Sequence, residues 1–161
     1  MKLRHLFFAC SGVFVMMFSL LLLVVIVFSD EEDGGSGGNL IYGGVSVSQE
    51  VLAHKPMLEK YAREYGIEEY LNVLLAIIQV ESGGTLEDVM QSSESLGLPP
   101  NSLSTEESIK QGCKYFSELL AAAETKGCDL NSVIQSYNYG GGFLDYVAGR
   151  GKKYTFELAE S

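Results

Sequence analysis

Cysteine and histidine are scarce in this 161-residue chain, which holds three cysteines and two histidines. Three cysteines exclude a small domain held together by several disulfides. Two histidines, with no Cys-x-x-Cys or His-Glu-x-x-His motif, cannot build the ligand shell of a zinc site. We therefore expect neither a bound metal nor another cofactor.

Basic residues are also few, and the charge balance limits the partners of the chain. Residues 30–161 contain 9 Lys or Arg and 21 Asp or Glu, a formal charge of −12. Such a surface repels phosphate backbones, which argues against a nucleic-acid partner. It also argues against electrostatic capture by anionic lipids or anionic wall polymers, so a substrate must be recognised in a local cleft.

One long apolar run stands near the amino terminus. Leu6–Phe28 has 23 residues, of which 20 are apolar and none is charged. As a helix it would be about 34 Å long, enough to cross a hydrocarbon layer of about 30 Å. Lys2 and Arg4 precede the run and residues 30–33 are all acidic, so the amino terminus is expected inside the cell.

Residues 1–29 are therefore predicted to be a single-pass membrane anchor, with the rest of the chain on the cell-wall side. The alternative is a cleaved signal peptide, whose apolar region is usually about 7–15 residues. Residues 30–44 contain six glycines and are predicted to be a flexible linker, with a root-mean-square span of roughly 20–23 Å. Residues 45–161 are enough for one compact domain.

The outer domain is predicted to be all-α, because every long segment has the apolar spacing of a helix. Ile67–Glu81 is apolar on nearly all sides and is expected to be the central helix of a small core, ended by Gly83-Gly84. Residues 85–103 are expected to be a loop, and no pattern of useful length predicts a strand. The other predicted helices are Val51–Tyr65 with Pro56 starting or kinking it, 105–125 after a capping box at Ser104, one capped by Asp129, and short pieces near Phe143–Val147 and Tyr154–Ala159.

The two cysteines of the outer domain are predicted not to pair. Cys113 lies 12 residues before the end of its predicted helix at Thr125, a distance of about 18 Å. The three residues from Thr125 to Cys128 can lead the chain back toward Cys113 by at most about 11 Å. The Cα atoms stay outside the roughly 4.4–6.8 Å range of a disulfide, so both are expected to be free thiols unless the helix is broken.

A glutamate stands at the end of the predicted central helix. Desolvation there and the negative carboxyl end of the helix both raise the pKa of Glu81. A carboxyl group that keeps its proton near neutral pH is what glycosidic bond cleavage requires, because the leaving oxygen must be protonated. The position of Glu81 alone leaves a second interpretation open, in which its side chain simply faces solvent at the end of the helix.

Two polar clusters follow where regular structure is predicted to stop. Residues 88–94 (Asp-Val-Met-Gln-Ser-Ser-Glu) place polar side chains on a loop that could face Glu81. Residues 135–142 (Gln-Ser-Tyr-Asn-Tyr-Gly-Gly-Gly) combine glycines, which let backbone approach a ligand, with Tyr and Asn side chains that can bond and stack on a sugar. A plain loop and a plain helix end are the alternatives.

The order of these motifs resembles the goose-type lysozyme and soluble lytic transglycosylase superfamily (glycoside hydrolase family 23-like). That family has Glu-Ser at the end of a core helix, then Gly-Leu-Met-Gln, then Ala-Tyr-Asn-Ala-Gly. The matching runs here are Glu81-Ser82, residues 88–91 and residues 136–140, within roughly residues 45–160. Glu-Ser-Gly-Gly, Gln-Ser-Ser-Glu-Ser and Tyr-Asn-Tyr-Gly are most similar to lysozyme-like domains of cell-wall hydrolases and conjugative-element proteins of Gram-positive bacteria.

The resemblance implies cleavage of the β-1,4 bond between N-acetylmuramic acid and N-acetylglucosamine in peptidoglycan, with Glu81 as general acid/base. The single clear acid slightly favours lytic transglycosylation, which makes a 1,6-anhydro product. Hydrolysis by a muramidase usually needs a second carboxylate, for which Asp88 and Glu94 are candidates. A non-catalytic glycan-binding or assembly protein is the further alternative. The residues expected to hold the sugar or orient the acid are Ser82, Gln91, Ser92, Glu94, Tyr137, Asn138, Tyr139 and Tyr154.

Two departures from the family pattern bear on this expectation. Asp88 and Val89 replace Gly-Leu. The family also has a tyrosine near the end of the domain, matched here by Tyr154, and the Glu-Thr that usually precedes it is missing. The expected partners are glycan strands of peptidoglycan and, through Leu6–Phe28, the membrane. An anchored lytic domain of this family would open the wall locally, for growth or for the passage of a secretion or conjugation machine.

Overall fold

The computed structural model describes residues 40–42 and 45–160. Within these ranges no helix is both long and apolar enough to cross a bilayer. The predicted anchor, Leu6–Phe28, and most of the predicted linker lie outside the described residues.

Helices make up most of the described chain, which confirms the mainly helical class. The seven α-helices of the described ranges are α1 Gln49–Ala53, α2 Lys55–Glu64, α3 Leu71–Glu81, α4 Thr105–Lys126, α5 Leu130–Tyr139, α6 Gly142–Ala148 and α7 Phe156–Glu160. Two 3₁₀ turns, Glu68–Tyr70 and Ser92–Leu96, lie between them. The second of these turns falls in the segment that was predicted to be a loop.

Helix α3 forms the centre of the core, as its sequence predicts. Residues 73–78 are consecutive and all buried, which is the pattern of a helix enclosed on every side. Around it, α2 packs against α3 and α4, and α4 packs in turn against α5 and α6. Phe116 and Ile109 of α4 and Leu58 of α2 are fully buried between these helices. Helix α3 itself packs against α1 and α2.

Local sequence signals set several helix boundaries. The predicted capping box is present, with the Ser104 backbone N–H donating to the Glu107 carboxylate at 3.1 Å. The predicted helix over residues 51–65 is two helices that meet at His54, and Pro56 lies in the first turn of the second. Proline has no N–H and its ring crowds the preceding turn, so α1 ends there and α2 begins.

A short antiparallel hairpin precedes the helices, where no strand was predicted. Strand β1, Leu40–Tyr42, pairs with β2, Val45–Val47, with Leu40 opposite Val47 and Tyr42 opposite Val45. Three residues per strand are too few to display an alternating pattern. Gly43-Gly44 between the strands is the signal that could have indicated a two-residue hairpin. β1 thus lies within the segment assigned to the linker, and β2 packs against α3.

The two cysteines of the domain are free thiols, as predicted. Cys113 is buried on the inner face of α4, and burial raises its pKa to about 12. A thiol in that state is not a nucleophile at neutral pH. Cys113 therefore acts as a packing residue.

Candidate active site

Glu81 is the last residue of α3, and the turn that follows it depends on glycine. Gly83 and Gly84 both have left-handed backbone angles, with φ of +61° and +76°. A Cβ atom on Gly84 would lie 2.7 Å from the backbone carbon of Glu50 in α1. Only glycine permits this approach, so α1 rests directly against the end of the helix that carries Glu81.

Hydrogen bonds reinforce this contact between α1 and the end of α3. The Ser48 backbone N–H donates to Gln79 Oε1 at 2.7 Å, and Ser48 Oγ donates to the Gly83 carbonyl at 3.3 Å. At the other end of α1, His54 Nε2 lies 2.9 Å from the Gly84 carbonyl oxygen. The residues that flank α1, Ser48 and His54, thereby hold the last turn of α3 and the glycines that follow it.

A cleft of about 220 Å³ opens in front of Glu81. Its walls come from Glu81 at the end of α3, from Gln91 and the 3₁₀ turn Ser92–Leu96 that follows it, from α4 and from the end of α5. Among the residues predicted to form the site, those that line it are Glu81, Gln91, Ser92, Glu94, Tyr137, Asn138 and Tyr139. The structure therefore brings the three sequence clusters together.

The carboxyl group of Glu81 is desolvated and lies near other negative charges. Burial is the larger cause and raises the pKa of Glu81 to about 7, and the charges of Glu94 and Asp88 act in the same direction. No Lys or Arg is found among the described residues that line the cleft. Near neutral pH, a large fraction of the Glu81 side chains therefore carry the proton.

Asp88 does not line the cleft, because its side chain is fully buried beneath the loop. Its Oδ1 atom accepts the Ser92 N–H at 2.9 Å and the Ser108 hydroxyl at 2.6 Å, and its Oδ2 atom accepts the Ser93 N–H at 3.2 Å. Asp88 thus holds the start of the turn that presents Glu94. Of the two candidates for a second carboxylate, only Glu94 lines the cleft.

Side chains from the surrounding helices fasten the same loop. Ser82, just after α3, donates its hydroxyl to the Val89 carbonyl at 2.7 Å. Ser108 of α4 accepts the Met90 N–H at 3.0 Å, and Tyr137 of α5 donates its hydroxyl to the Met90 carbonyl at 3.1 Å. The loop is therefore fixed relative to each helix that contributes to the cleft.

A glycine in α4 makes room for this arrangement. A Cβ atom on Gly112 would lie 2.5 Å from Met90 Sδ and 2.9 Å from the Tyr137 hydroxyl oxygen. Burial raises the pKa of the Tyr137 phenol well above its usual range. Tyr137 thus stays protonated and remains a hydrogen-bond donor to the loop.

Gln91 has a strained backbone at the edge of the cleft. Its φ is +47°, a left-handed angle that residues other than glycine seldom adopt. Its side-chain nitrogen donates to the Asp88 carbonyl and to Asn101 Oδ1, both at 2.8 Å. These bonds orient the amide and leave its Oε1 atom as the acceptor available to a ligand.

Two residues that line the cleft, Ser95 and Tyr115, were not predicted, whereas Gly140 belongs to the glycine run of the third predicted cluster. The ring of Tyr115, on α4, lies 5.5 Å from that of Tyr137 at an angle of 52°. One signal could have found it, because Tyr115 follows Gly112 and Ser108 at the spacing of a single helix face. Small residues on that face let the loop approach α4, so the next turn borders the cleft.

Two residues of the predicted site lie away from the cleft. Ser82 is engaged with the loop, as described above. The Tyr154 backbone N–H donates to the Asp129 carboxylate at 3.1 Å, and its ring centroid is 6.5 Å from that of Phe143. Over the described part of the chain, no group of three or more His, Cys, Asp or Glu side chains could hold a metal ion.

The match to a family model covers every residue that lines the cleft. Residues 48–161 match the model of a family described as lysozyme-like. Bifunctional muramidase/DL-endopeptidase CwlT of Bacillus subtilis is 44% identical over 119 residues, which are 73% of this chain and 35% of that protein. Pneumococcal vaccine antigen A homolog of Streptococcus pyogenes is 41% identical over 112 residues, 69% of this chain and 56% of that protein.

Two further relatives are associated by name with the cell envelope. Membrane protein YocA of Bacillus subtilis is 40% identical over 115 residues, which are 71% of this chain and 51% of that protein. A solved Staphylococcus aureus Mu50 structure, described as similar to a lipoprotein of the NLP/P60 family, has a TM-score of 0.70 and 77% identity over 71% of this chain and 39% of its own. The chain thus spans between about a third and just over half of the length of these four relatives.

Proposed function

The chain belongs to the lysozyme-like family, and from this premise we propose that it cleaves the β-1,4 bond between N-acetylmuramic acid and N-acetylglucosamine in peptidoglycan. One observation carries the proposal, a desolvated Glu81 carboxyl group with a pKa of about 7 in a cleft lined by aromatic and amide side chains. Such a group can protonate a leaving oxygen at neutral pH. The muramidase name of the Bacillus subtilis relative supports the same substrate class.

In the proposed reaction, one carboxyl group serves both steps of a lytic transglycosylation. Glu81 gives its proton to the glycosidic oxygen while the bond from that oxygen to C1 of the muramoyl sugar breaks. The resulting carboxylate removes the proton of the muramoyl 6-hydroxyl, whose oxygen bonds to C1 and closes a 1,6-anhydro ring. The acid is thereby restored and no water is consumed. A pKa of about 7 suits a group that must alternately give and take a proton.

The other cleft residues bind and orient the sugar in this proposal. The half-buried rings of Tyr115 and Tyr139 offer faces on which a pyranose can stack, and Asn138 and Gln91 offer amide groups to its hydroxyl and acetamido groups. Ser82 and Ser92 act indirectly, because their hydroxyl groups hold the loop in place. Tyr154 also acts indirectly, since its ring packs against Phe143, which lies beside Tyr139.

Hydrolysis is the second candidate, because Glu94 also lines the cleft. An exposed carboxylate there can activate a water molecule while Glu81 protonates the leaving group. A non-catalytic glycan-binding protein is the third candidate, in which the cleft holds the glycan without cleaving it.

Mass analysis of digested peptidoglycan separates these candidates. Transglycosylation yields muropeptides that end in 1,6-anhydro sugars, one water lighter than hydrolysis products and without a reducing end. Reducing ends that are lost in Glu94→Gln would establish hydrolysis instead. No new chain ends at all, with binding of glycan retained, would leave only the non-catalytic candidate.

The pH dependence of cleavage should report the ionisation of Glu81. The acid must be protonated, so turnover should fall above about pH 7, approaching about tenfold per pH unit. Glu94→Gln removes a nearby negative charge and lowers the pKa of Glu81, so the alkaline limb of the profile should move to lower pH. Glu87→Gln, at an exposed position outside the cleft, is the matched control and should leave the limb in place. If Glu94→Gln leaves the alkaline limb where Glu87→Gln leaves it, the limb does not report the ionisation of Glu81.

We also propose that the domain works at the outer face of the cell membrane. The support is the predicted anchor at residues 1–29 and the membrane-protein and lipoprotein descriptions of two relatives. The predicted linker would confine cleavage to wall within reach of the membrane, as local opening for growth or for a secretion or conjugation machine requires.

A further inference from the structure

A second cavity adjoins the catalytic cleft and shares one wall with it. It has a volume of about 280 Å³ and is lined by Tyr139, Phe143, Tyr146, Leu158 and Ala159. The ring centroids of Tyr139 and Phe143 are 5.3 Å apart, and those of Phe143 and Tyr146 are 6.0 Å apart and stacked. We call these three rings the aromatic shelf. Because Tyr139 lines both cavities, the shelf adjoins the cleft at this residue.

A cation stands at the far end of the aromatic shelf. The guanidinium carbon of Arg150 lies 3.7 Å from the ring centroid of Tyr146, and one nitrogen donates to the Tyr146 carbonyl at 3.3 Å. Arg150 is exposed and has no ion pair with any described residue. A guanidinium has five donor hydrogens, so Arg150 retains donors for a carboxylate.

The lining of this cavity fits a peptide better than another sugar. Two of its five residues are aliphatic and three are aromatic, so only the two tyrosine hydroxyls are side-chain polar groups. One of these, on Tyr139, already donates to the Ala159 carbonyl at 3.3 Å. A pyranose presents several hydroxyl groups that need partners, which this lining lacks. A peptide that places an apolar side chain on this wall and a carboxylate near Arg150 matches both the apolar lining and the cation.

We propose that the aromatic shelf and Arg150 bind the peptide attached to the muramoyl sugar, with the guanidinium pairing a carboxylate of that peptide. This inference rests on the proposed function, since it takes the glycan to lie in the adjoining cleft. The strongly acidic domain repels carboxylates in general, so Arg150, which has no ion pair with any described residue, supplies a local attraction at the end of the aromatic shelf. Peptide-bearing glycan is thereby preferred over bare glycan.

The test measures binding in a background that does not cleave. Full-length Glu81→Gln protein, with and without Arg150→Gln, is titrated with a disaccharide-tetrapeptide fragment of peptidoglycan and with the same disaccharide lacking the peptide. We expect the parent to prefer the peptide-bearing fragment, and Arg150→Gln to weaken that binding about three- to tenfold, while binding of the bare disaccharide is unchanged. The effect should shrink as salt is raised.

Lys114→Gln is the matched control, because it removes one exposed positive charge from a residue that lines neither cavity. It should leave the preference for the peptide-bearing fragment intact. Equal weakening of both fragments by Arg150→Gln would mean that the shelf binds sugar, and no weakening would mean that Arg150 has no ligand; either overturns the inference. Self-association of the chain that is lost in Arg150→Gln, without a peptide preference, would assign the shelf to a second copy and overturn it as well.

Failure of this inference is distinguishable from failure of the proposed function. Cleavage of bare glycan strands by the unmodified chain tests only the catalytic proposal. The binding preference tests only the shelf. A chain that cleaves bare strands but shows no peptide preference keeps its proposed function and loses the shelf assignment.

Discussion

Substitution of Glu81 by glutamine is expected to lower turnover on peptidoglycan by about a hundred- to ten-thousandfold, the range of a general acid/base. Glutamine keeps the size of the side chain and its place at the end of α3, but it can neither give nor remove the proton. Clearing of peptidoglycan gels, with release of new chain ends measured in solution, follows the loss. A variant that clears gels as well as the unmodified chain would show that another group supplies the proton.

The same substitution should stabilise the folded domain at alkaline pH, which separates loss of chemistry from loss of fold. The pKa of Glu81 is about 7 in the folded chain against an ordinary value of 4.5, so the carboxyl group favours folding below pH 4.5 and this contribution is lost as pH rises through 7. Glutamine carries no charge to desolvate. Its advantage in free energy of unfolding should therefore grow between pH 5 and pH 8, by at most about 3 kcal/mol. Denaturant unfolding at the two pH values measures it, and an advantage that shrinks with pH would contradict the burial argument.

Substitution of Asp88 by alanine is expected to be the most destabilising change near the site, at about 3–5 kcal/mol. It strands the backbone N–H groups of Ser92 and Ser93 and the hydroxyl of Ser108, all within a buried network. Denaturant unfolding is the measurement. Glu87→Ala removes a carboxylate one residue away at an exposed position, and should change stability by no more than about 0.5 kcal/mol.

Asp88 substitution also tests whether the residue acts through structure or through chemistry. Because Asp88 holds the turn that presents Glu94, loss of activity in Asp88→Ala should accompany loss of stability. A variant at this position that stays as stable as the parent and yet loses cleavage would identify Asp88 as a second reacting carboxylate. That outcome would contradict the structural role inferred from its burial and from the hydrogen bonds that both of its carboxylate oxygens accept.

The central helix and its terminal acid could be predicted because their signals are local. An unbroken apolar run fixes burial on all sides, and paired glycines fix where the helix ends, so Glu81 follows from a dozen contiguous residues. The capping box at Ser104 is equally local. The break at His54 could be predicted only in part. Pro56 indicates that a helix begins near it, but it does not show that a separate short helix ends just before.

The parts that could not be predicted depend on which residues meet across the fold. Asp88 and Glu94 are both acids on one loop, and only the packing of that loop on α4 decides that one is buried and the other lines the cleft. Tyr115 reaches the cleft because Gly112 lets the loop approach, a consequence of contacts 20 or more residues apart in sequence. Ser82 was expected to hold the sugar or to orient Glu81, and the sequence does not show that its hydroxyl bonds to the Val89 carbonyl of the loop.

The attachment of α1 to the last turn of α3 has a mechanical consequence. A pull on β1 passes through β2 to Ser48, whose partners, Gln79 and Gly83, lie on either side of Glu81 in sequence. Because β2 also packs against α3 and its Val47 is fully buried, movement of the amino-terminal hairpin would be transmitted both to the last turn of α3 and to the core.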